Sequence, residues 1–334
     1  MGASAGFRWA LISIGLIFLA ACGGESVSPA GLPALRQATH GALPNLRHPS
    51  DQDLLYVPDD DLINVYTYPQ GDLVQSFYGY GSGYANAACV DSVGNVYITF
   101  SYGSIVEYPH GGSDPIDSSY TGGAAEGCTV DPKTGNVSVA NPSGSSPTFG
   151  HGFVWVWSRA TGGYHYYFSR NFKEPIWCGY DNSGNLFIEG YSWHAGKKNL
   201  RLFELPRGGA SLKNIAISVT GGATGVQYDG KYLTIGAGDN IYQLRIKGSK
   251  AKIVGTTTLS GWSARSYFVV VKGRRQGRQV VSTTGAEIGL FDYPVGGDPT
   301  KTISANDALS AVVSLAQKQR ALGRAGGRRS NTKR

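Results

Sequence analysis

The stretch Cys89-Val90-Asp91-Ser92-Val93-Gly94-Asn95-Val96-Tyr97-Ile98 places a short apolar run on each side of an Asp and a Gly-Asn pair. Both runs are rich in β-branched and aromatic residues, which favour strands. Asp, Gly and Asn are the residues that a tight turn uses, because some of its positions have a positive φ angle. The stretch therefore predicts a β-hairpin.

The same pattern returns three times, at residues 130–137, 179–188 and, less completely, 228–233. A second recurring run is β-patterned and closes on an aromatic or apolar residue, often followed by Pro and Gly-Gly. Its copies close at Tyr68, Tyr108, Trp157, Leu205, Leu244 and Tyr293. The spacings are 40, 49, 48, 39 and 49 residues. A period of about 40–50 residues with several strands per repeat is typical of β-propellers.

Each repeat is interpreted as four strands. In the second repeat these are residues 88–90, 96–99, 104–108 and 116–120. The first repeat begins at Leu54 with what matches a second strand, and residues 309–314 have the character of the missing first strand. We therefore predict an all-β chain with a single β-propeller over residues 51–317, with six four-stranded blades closed by the C-terminal strand.

Composition supports this fold and argues against a nucleic-acid ligand. The chain has 48 Gly, 20 Tyr and only 16% charged residues, which suits short strands and tight turns. The net charge of +7 comes from residues 318–334, which hold seven basic residues and no acidic one. The remainder is balanced, with 23 basic and 23 acidic residues. Residues 318–334 are interpreted as a basic disordered tail.

The first 21 residues are interpreted as a secretion signal, with Arg8 followed by an apolar run too short to span a bilayer. The run ends in Leu19-Ala20-Ala21-Cys22, which resembles the bacterial lipobox. That resemblance implies cleavage before Cys22 and lipid attachment to it. Gly24 is not aspartate, which by the same resemblance favours the outer membrane of the cell envelope. Residues 22–50, with Pro29, Pro33, Pro44 and Pro49, are interpreted as a flexible linker.

Over residues 51–317 the chain resembles the NHL-like and SMP-30-like propellers, and more closely propeller lipoproteins of environmental bacteria. The resemblance rests on the Asp…Gly-Asn strand pairs and the Tyr-Pro-x-Gly-Gly closers. SMP-30-like lactonases bind one divalent cation at the channel mouth, and such oxygen ligands could come here from Glu126, Glu174, Asn86 or Asn141, and Asp239. That family has a Glu on its opening strand, whereas Asp51-Gln52-Asp53-Leu54-Leu55 contains none.

Other chemical motifs are weak. The Gly-x-Ser-x-Gly match lies at residues 2–6, inside the signal, and the six His residues form no zinc-binding pattern. Asp181, Ser183, Asn185 and Glu189 partly match a calcium loop, but the same position recurs elsewhere with poor ligands, so we interpret it as a hairpin turn. We predict no cofactor and no catalytic residue.

Cys89, Cys128 and Cys178 fall on the predicted first strands of three successive blades. We interpret them as small buried thiols that pack like Ala or Val. An oxidising compartment would also permit a disulfide, and a Cys128–Cys178 pair is the alternative.

In propellers, ligands usually bind at the face where first strands begin and second strands end. Aromatic planes beside carboxylates and amides suit a sugar or peptide. The predicted ligand-binding residues in loops at this face are Tyr84, Glu126, His151, Glu174, Trp177, Glu189, Tyr191, Trp193, His194, Trp262 and Arg265. We expect the indole rings of Trp177, Trp193 and Trp262 to surround one funnel at this face.

These observations favour a monomeric, non-enzymatic binding or scaffold module for a carbohydrate or protein partner, held at the membrane by lipid on Cys22. A metal-dependent, gluconolactonase-like hydrolase that uses a divalent cation is the alternative.

Replacing Cys22 by Ser is expected to release the protein from membranes, because acyl chains contribute about 0.8 kcal/mol of membrane binding per buried CH₂. Fractionation into membrane and soluble pools measures this. Processing of the wild type that globomycin does not inhibit would contradict the lipobox interpretation.

Overall fold

The computed structural model describes residues 51–143, 151–194, 197–270 and 278–316. These residues contain 24 strands and no α-helix, and hence no helix able to span a membrane. The predicted signal, linker and basic tail lie outside the described residues. Strands in the first half are β1 (Leu54–Asp59), β2 (Leu62–Thr67), β3 (Leu73–Tyr78), β4 (Ala85–Val90), β5 (Val96–Phe100), β6 (Ser104–Tyr108), β7 (Asp117–Tyr120), β8 (Cys128–Val130), β9 (Val137–Asn141), β10 (Phe153–Trp157), β11 (Tyr164–Tyr167) and β12 (Glu174–Tyr180).

The second half continues the same pattern of short antiparallel strands. Its strands are β13 (Leu186–His194), β14 (Lys197–Leu205), β15 (Lys213–Ile215), β16 (Ala223–Tyr228), β17 (Leu233–Ala237), β18 (Asn240–Lys247), β19 (Lys250–Thr258), β20 (Ser266–Val270), β21 (Arg278–Thr283), β22 (Glu287–Tyr293), β23 (Lys301–Ser304) and β24 (Val312–Ser314).

The strands form six four-stranded sheets, which are the blades of a β-propeller. Blades two to six take four consecutive strands each, from β4–β7 to β20–β23, and their first strands line the central channel. Blade one has the order β24-β1-β2-β3, so its innermost strand comes from the C-terminus. The predicted fold class and its ring closure are confirmed.

The closure is a short but fully buried strand pair. Leu54, Leu55 and Tyr56 pair with Ser314, Val313 and Val312. All six residues are at most 2% exposed. The backbone N–H of Ala316 also donates to Asp53 Oδ1 at 2.9 Å, which holds the two ends of the described chain together.

The hairpin motif of the opening stretch forms the turn that was predicted. Asp91 Oδ1 accepts the backbone N–H groups of Val93 and Asn95, and Asp181 Oδ1 accepts those of Ser183 and Asn185. Gly94 and Gly184 in these turns have φ angles of +94° and +86°, which L-residues with side chains disfavour. These Asp residues therefore serve the turns between first and second strands.

The apolar core of the described chain is divided among the joints between blades. Each of its six clusters draws residues from two neighbouring blades, as Leu54 and Ile63 of blade one pack with Ile98 and Phe100 of blade two. Both faces of every sheet are therefore covered, and the burial of β5 and β9 is continuous rather than alternating.

The expectation of buried thiols is confirmed for Cys178 and wrong for Cys89 and Cys128, and the alternative Cys128–Cys178 pair is also wrong. Cys89 and Cys128 form a disulfide, with their Cα atoms 5.6 Å apart, and Cys178 is a buried free thiol. The Cys178 Sγ donates weakly to the carbonyls of Gly127 and Ser138 in blade three. Burial raises the pKa of the Cys178 thiol, which keeps it protonated.

The alternation of side chains along the inner strands explains the pairing. In the strand register, Cys128 lies opposite Val139 and Cys178 lies opposite Ile188, which are equivalent positions of their blades. Cys89 lies one residue nearer the end of its strand. Successive side chains of a strand point to opposite faces, and in this ring opposite faces meet opposite neighbours. Cys89 therefore faces blade three while Cys128 faces blade two, and the disulfide joins these blades.

Deleting residues 305–334 is expected to abolish cooperative unfolding, because blade one loses its inner strand and the core beneath it, against a total stability of about 5–15 kcal/mol. Deleting residues 318–334 is the matched control and should leave the melting temperature unchanged. Circular dichroism melts measure both. An unchanged melt after the longer deletion would contradict the closure.

Candidate functional site

The propeller has two faces that differ in what they carry. At the face that we call the loop face, first strands begin and second strands end, as in residues 79–84 and 101–103. At the other, the hairpin face, lie the turns between first and second strands and between third and fourth strands, as in residues 91–95 and 248–249. Asp51 and Ala316, the two ends of the described chain, both lie on the hairpin face because β1 starts and β24 ends there.

The predicted indoles have different environments. Trp262 is 6% exposed, packs edge-to-face on Phe291 and donates its Nε1–H to Ser282 Oγ at 3.1 Å, within the core between blades five and six. Trp177 is half-buried and donates its Nε1–H to the carbonyl of Ala223 at 3.3 Å. Trp193 lies in β13, and its side chain is outside the described part of the structure. Burial of Trp262 leaves it no surface for a ligand.

The three predicted carboxylates also differ. Glu174 forms an ion pair with Lys198 Nζ at 2.8 Å. Glu189 is fully buried, accepts the backbone N–H of Gly225 at 3.0 Å, and burial raises its pKa well above the ordinary value. Glu126 is half-buried, and loss of solvation raises its pKa to about 7.

Of the oxygen ligands considered for a cation, the two amides are used within the fold. The buried Asn86 amide donates to the carbonyl of Ala125 at 2.8 Å. Asn141 accepts the Thr121 hydroxyl and donates to the carbonyl of Val139. In the ranges that the structure describes, no three His, Cys, Asp or Glu side chains are grouped closely enough to hold a metal ion.

The remaining predicted site residues are scattered over the loop face. Tyr191 accepts the backbone N–H of Ala223 at 2.6 Å, and Lys198 Nζ lies 5.0 Å from its ring centroid. Arg265 forms an ion pair with Asp307. His151 is half-buried and precedes β10. His194 lies in β13 with its side chain outside the description, and Tyr84 is exposed.

A cavity of about 420 Å³ occupies the central channel and is lined by the first strands of blades two to six and by Ser310 and Ala311, which precede β24. Its walls include the apolar side chains of Val130, Val226 and Phe268, and its lining extends to Asp181 and Asn182 in a hairpin-face turn. Of the predicted site residues whose side chains are described, Trp177 alone lines it. The cavity therefore reaches the face opposite to the predicted binding loops.

Sequence reasoning missed a group of exposed rings on the loop face of blades one and two. We call this group the tyrosine platform; its side chains are 53–74% exposed. Its members are Tyr78, Tyr80, Tyr84, Tyr102 and Tyr120. In residues 79–84 Gly alternates with Tyr or Ser, a signal that could have identified the platform. Of the five tyrosines, only Tyr84 is among the predicted ligand-binding residues.

Backbone hydrogen bonds join the segments that carry these rings. Tyr102 N–H donates to the carbonyl of Ser82 at 3.1 Å, and Ser101 N–H donates to that of Tyr84 at 2.9 Å. Thr121 N–H donates to the carbonyl of Gly103 at 2.8 Å, which attaches the end of β7 to the same loop. The platform is therefore one hydrogen-bonded surface assembled from three segments.

Close packing beneath the platform requires a residue without a side chain. A Cβ placed on Gly81 would lie 2.0 Å from the ring of Phe100, and one on Gly103 would lie 2.4 Å from the carbonyl oxygen of Gly123. Phe100 is itself buried in the core between blades one and two. The loop that carries Tyr80 and Tyr84 is thus supported directly by the propeller core.

Comparison with known proteins supports the fold. No protein-family model matches the chain, and no curated protein matches its sequence. A crystal structure of a protein of unknown function from Bacteroides caccae is similar, with a TM-score of 0.57 and 12% identity over 79% of this chain and 99% of that chain. The Myceliophteria thermophila Cps50 (Swd1) β-propeller domain has a TM-score of 0.51 and 10% identity, over 79% and 86% of the two chains. The chain is thus a six-bladed β-propeller, an architecture compatible with a binding or scaffold module.

Replacing Glu126 by Gln is expected to stabilise the protein at pH 8 more than at pH 4. The folded-state pKa of about 7 exceeds the ordinary value of 4.5, so Glu126 favours folding at low pH and loses that contribution as the pH rises from about 4.5 to about 7. Thermal melts at both pH values measure the difference. The exposed Glu287→Gln variant is the control, and an equal effect of Glu126→Gln at both pH values would contradict the burial argument.

Proposed function

We propose that this propeller is a lipid-anchored protein of the bacterial cell envelope that binds a neutral carbohydrate on its loop face. The observation that carries the proposal is the tyrosine platform. A tyrosine ring presents a flat apolar body against which the C–H face of a sugar can stack, and its hydroxyl can bond to sugar hydroxyls. Five such rings on one surface of a monomer suit this ligand class.

The charge of the platform supports a neutral ligand. Residues 78–84, 100–104 and 120–123 contain no Asp, Glu, Lys, Arg or His. A charged ligand would find no complementary partner within these segments. The cores of protein interfaces are enriched in aromatic residues and depleted in charge, so a protein partner would also fit and is an outcome that the experiment below distinguishes.

Rigidity also favours binding. The loop residues that carry Tyr80, Tyr84 and Tyr102 are already held by hydrogen bonds, so less conformational entropy is lost when a ligand contacts them. Exposed aromatic patches on soluble domains commonly mark interaction surfaces.

The envelope location rests on the sequence of residues 1–22. The apolar run that ends in Leu19-Ala20-Ala21-Cys22 supports export and lipid attachment at Cys22, and Gly24 supports the outer membrane. Resemblance to NHL-like and SMP-30-like propeller lipoproteins supports the same placement. The proposed role is that of a binding or scaffold module rather than an enzyme.

Replacing Tyr102 or Tyr120 by Ala is expected to weaken glycan binding by roughly twofold to tenfold each, since an aromatic contact contributes about 0.5–1.5 kcal/mol. A screen of neutral oligosaccharides, followed by titration calorimetry with the best binder, measures the effect. Tyr164→Ala is the matched control, because Tyr164 is an exposed tyrosine at the hairpin-face end of β11.

Equal loss in the Tyr164 variant, or no binding of any neutral glycan, would contradict the proposal. Capture of a protein partner that the Tyr102 and Tyr120 variants fail to bind would replace the carbohydrate as the occupant of the same surface.

A further inference from the structure

Four cations lie on one hairpin of blade five. Arg245 and Lys247 belong to β18, and Lys250 and Lys252 belong to β19. Their register places Arg245 directly opposite Lys252 and Lys247 directly opposite Lys250. All four side chains are exposed. We call these four residues the basic hairpin.

The four cations share one side of the hairpin. The residues between them, Ile246, Ala251 and Ile253, pack against the apolar core between blades four and five. Because side chains alternate along a strand, the cations point to the other side, away from that core. Like charges directly opposite each other on neighbouring strands are destabilising, so the hairpin carries an electrostatic cost that an external anion would relieve.

The surroundings add positive charge and little that neutralises it. The exposed side chains of Lys213 and Lys231 lie on neighbouring elements, and Lys231 Nζ lies 4.9 Å from the ring of Tyr232, over which Arg245 is also placed. Within the described residues, no ion pair includes any member of the basic hairpin.

Two acids on neighbouring elements, Glu204 and Asp229, have other partners. Burial raises the pKa of Glu204, and the positive charge of Lys213 opposes part of that rise. Asp229 is fully buried and accepts hydrogen bonds from Gln243, Tyr293 and the backbone of its own turn. The basic hairpin is therefore a local excess of positive charge on residues 51–317, which hold 20 basic and 22 acidic residues in all.

The position of this charge relative to the chain ends suggests the occupant. The tip of the β18–β19 hairpin, residues 248–249, lies on the hairpin face, and so does Asp51, where the chain joins β1. Residues 23–50, which the sequence predicts as a linker, precede Asp51, and a flexible linker of 28 residues would have a typical end-to-end distance of only about 30 Å. Lipid on Cys22 would thus hold the hairpin face close to a bilayer.

We propose that the basic hairpin docks the hairpin face onto an anionic phospholipid surface. Its orienting role in the cell rests on the proposed lipid anchor. The seven basic residues of 318–334 are the same in every variant tested below, so the contribution of the basic hairpin is measured as the difference between variants. Phosphate groups of the headgroups would lie between Arg245, Lys247, Lys250 and Lys252 and relieve their mutual repulsion. Docking in this orientation turns the tyrosine platform, on the opposite face, away from the membrane.

The test uses the full chain with Cys22→Ser, so that lipid makes no contribution. Binding is measured by co-sedimentation with vesicles of phosphatidylethanolamine containing about one-quarter phosphatidylglycerol. Pure phosphatidylcholine vesicles report any contribution of the apolar residues 1–21, which is the same in every variant. We expect preferential binding to the anionic vesicles that weakens as salt concentration rises.

The variant Lys247→Gln/Lys250→Gln is expected to lose about tenfold or more of this binding, since each basic residue near an anionic surface contributes to it. The matched control is Arg170→Gln/Lys173→Gln, which removes two exposed cations from a connection on the loop face and should have no effect. Thermal melts confirm that both variants are folded.

Equal binding to neutral and anionic vesicles, or equal losses in the two double variants, would overturn the proposal. Stronger binding to an anionic polysaccharide such as polygalacturonate than to the anionic vesicles would overturn the membrane as occupant. Failure of glycan binding at the tyrosine platform leaves the vesicle result unchanged, so the two proposals fail separately.

Discussion

The pairing of β24 with β1 is the contact on which the rest of the molecule depends. Leu54–Tyr56 and Val312–Ser314 are separated by more than 250 residues in sequence, yet they form the inner strand pair of blade one. Because the apolar core is divided among the joints between blades, every blade needs a neighbour on both sides. A closed ring of blades satisfies this requirement and an open row does not. The pairing of β24 with β1 completes blade one, which can then pack against both blade two and blade six.

The inner strands impose a second constraint, which is that each side chain is assigned to one neighbouring blade. Gln227 shows this assignment, since its amide both donates to and accepts from the backbone of Val269 in the next blade. In the Cys89–Cys128 disulfide, the two side chains point toward each other across the joint between blades two and three. The Glu189 side chain is likewise assigned to one joint, where it accepts the backbone N–H of Gly225 and burial raises its pKa.

The two faces of the ring have separate chemistry. The loop face of blades one and two presents uncharged aromatic rings, held by hydrogen bonds between connecting segments. The hairpin face receives both ends of the described chain and presents the basic hairpin of blade five. A tether on one face and a binding surface on the other is an arrangement that lets an anchored protein keep its ligand surface accessible, and it follows from the direction in which β1 and β24 run.

The sequence by itself determined the number of blades, the limits of most strands, the Asp-centred turns and the C-terminal origin of the closing strand. These are local patterns repeated at a regular period, and each repeat supports the interpretation of the others. Only the tertiary structure decided which cysteines meet, that Trp262 is a core residue, and that the five tyrosines of the platform lie on one face. A shift of a single residue reverses the face to which a strand side chain points, and no local pattern specifies such a shift. Contacts between segments from different blades depend on the face to which each side chain points, and packing in the closed ring fixes that face.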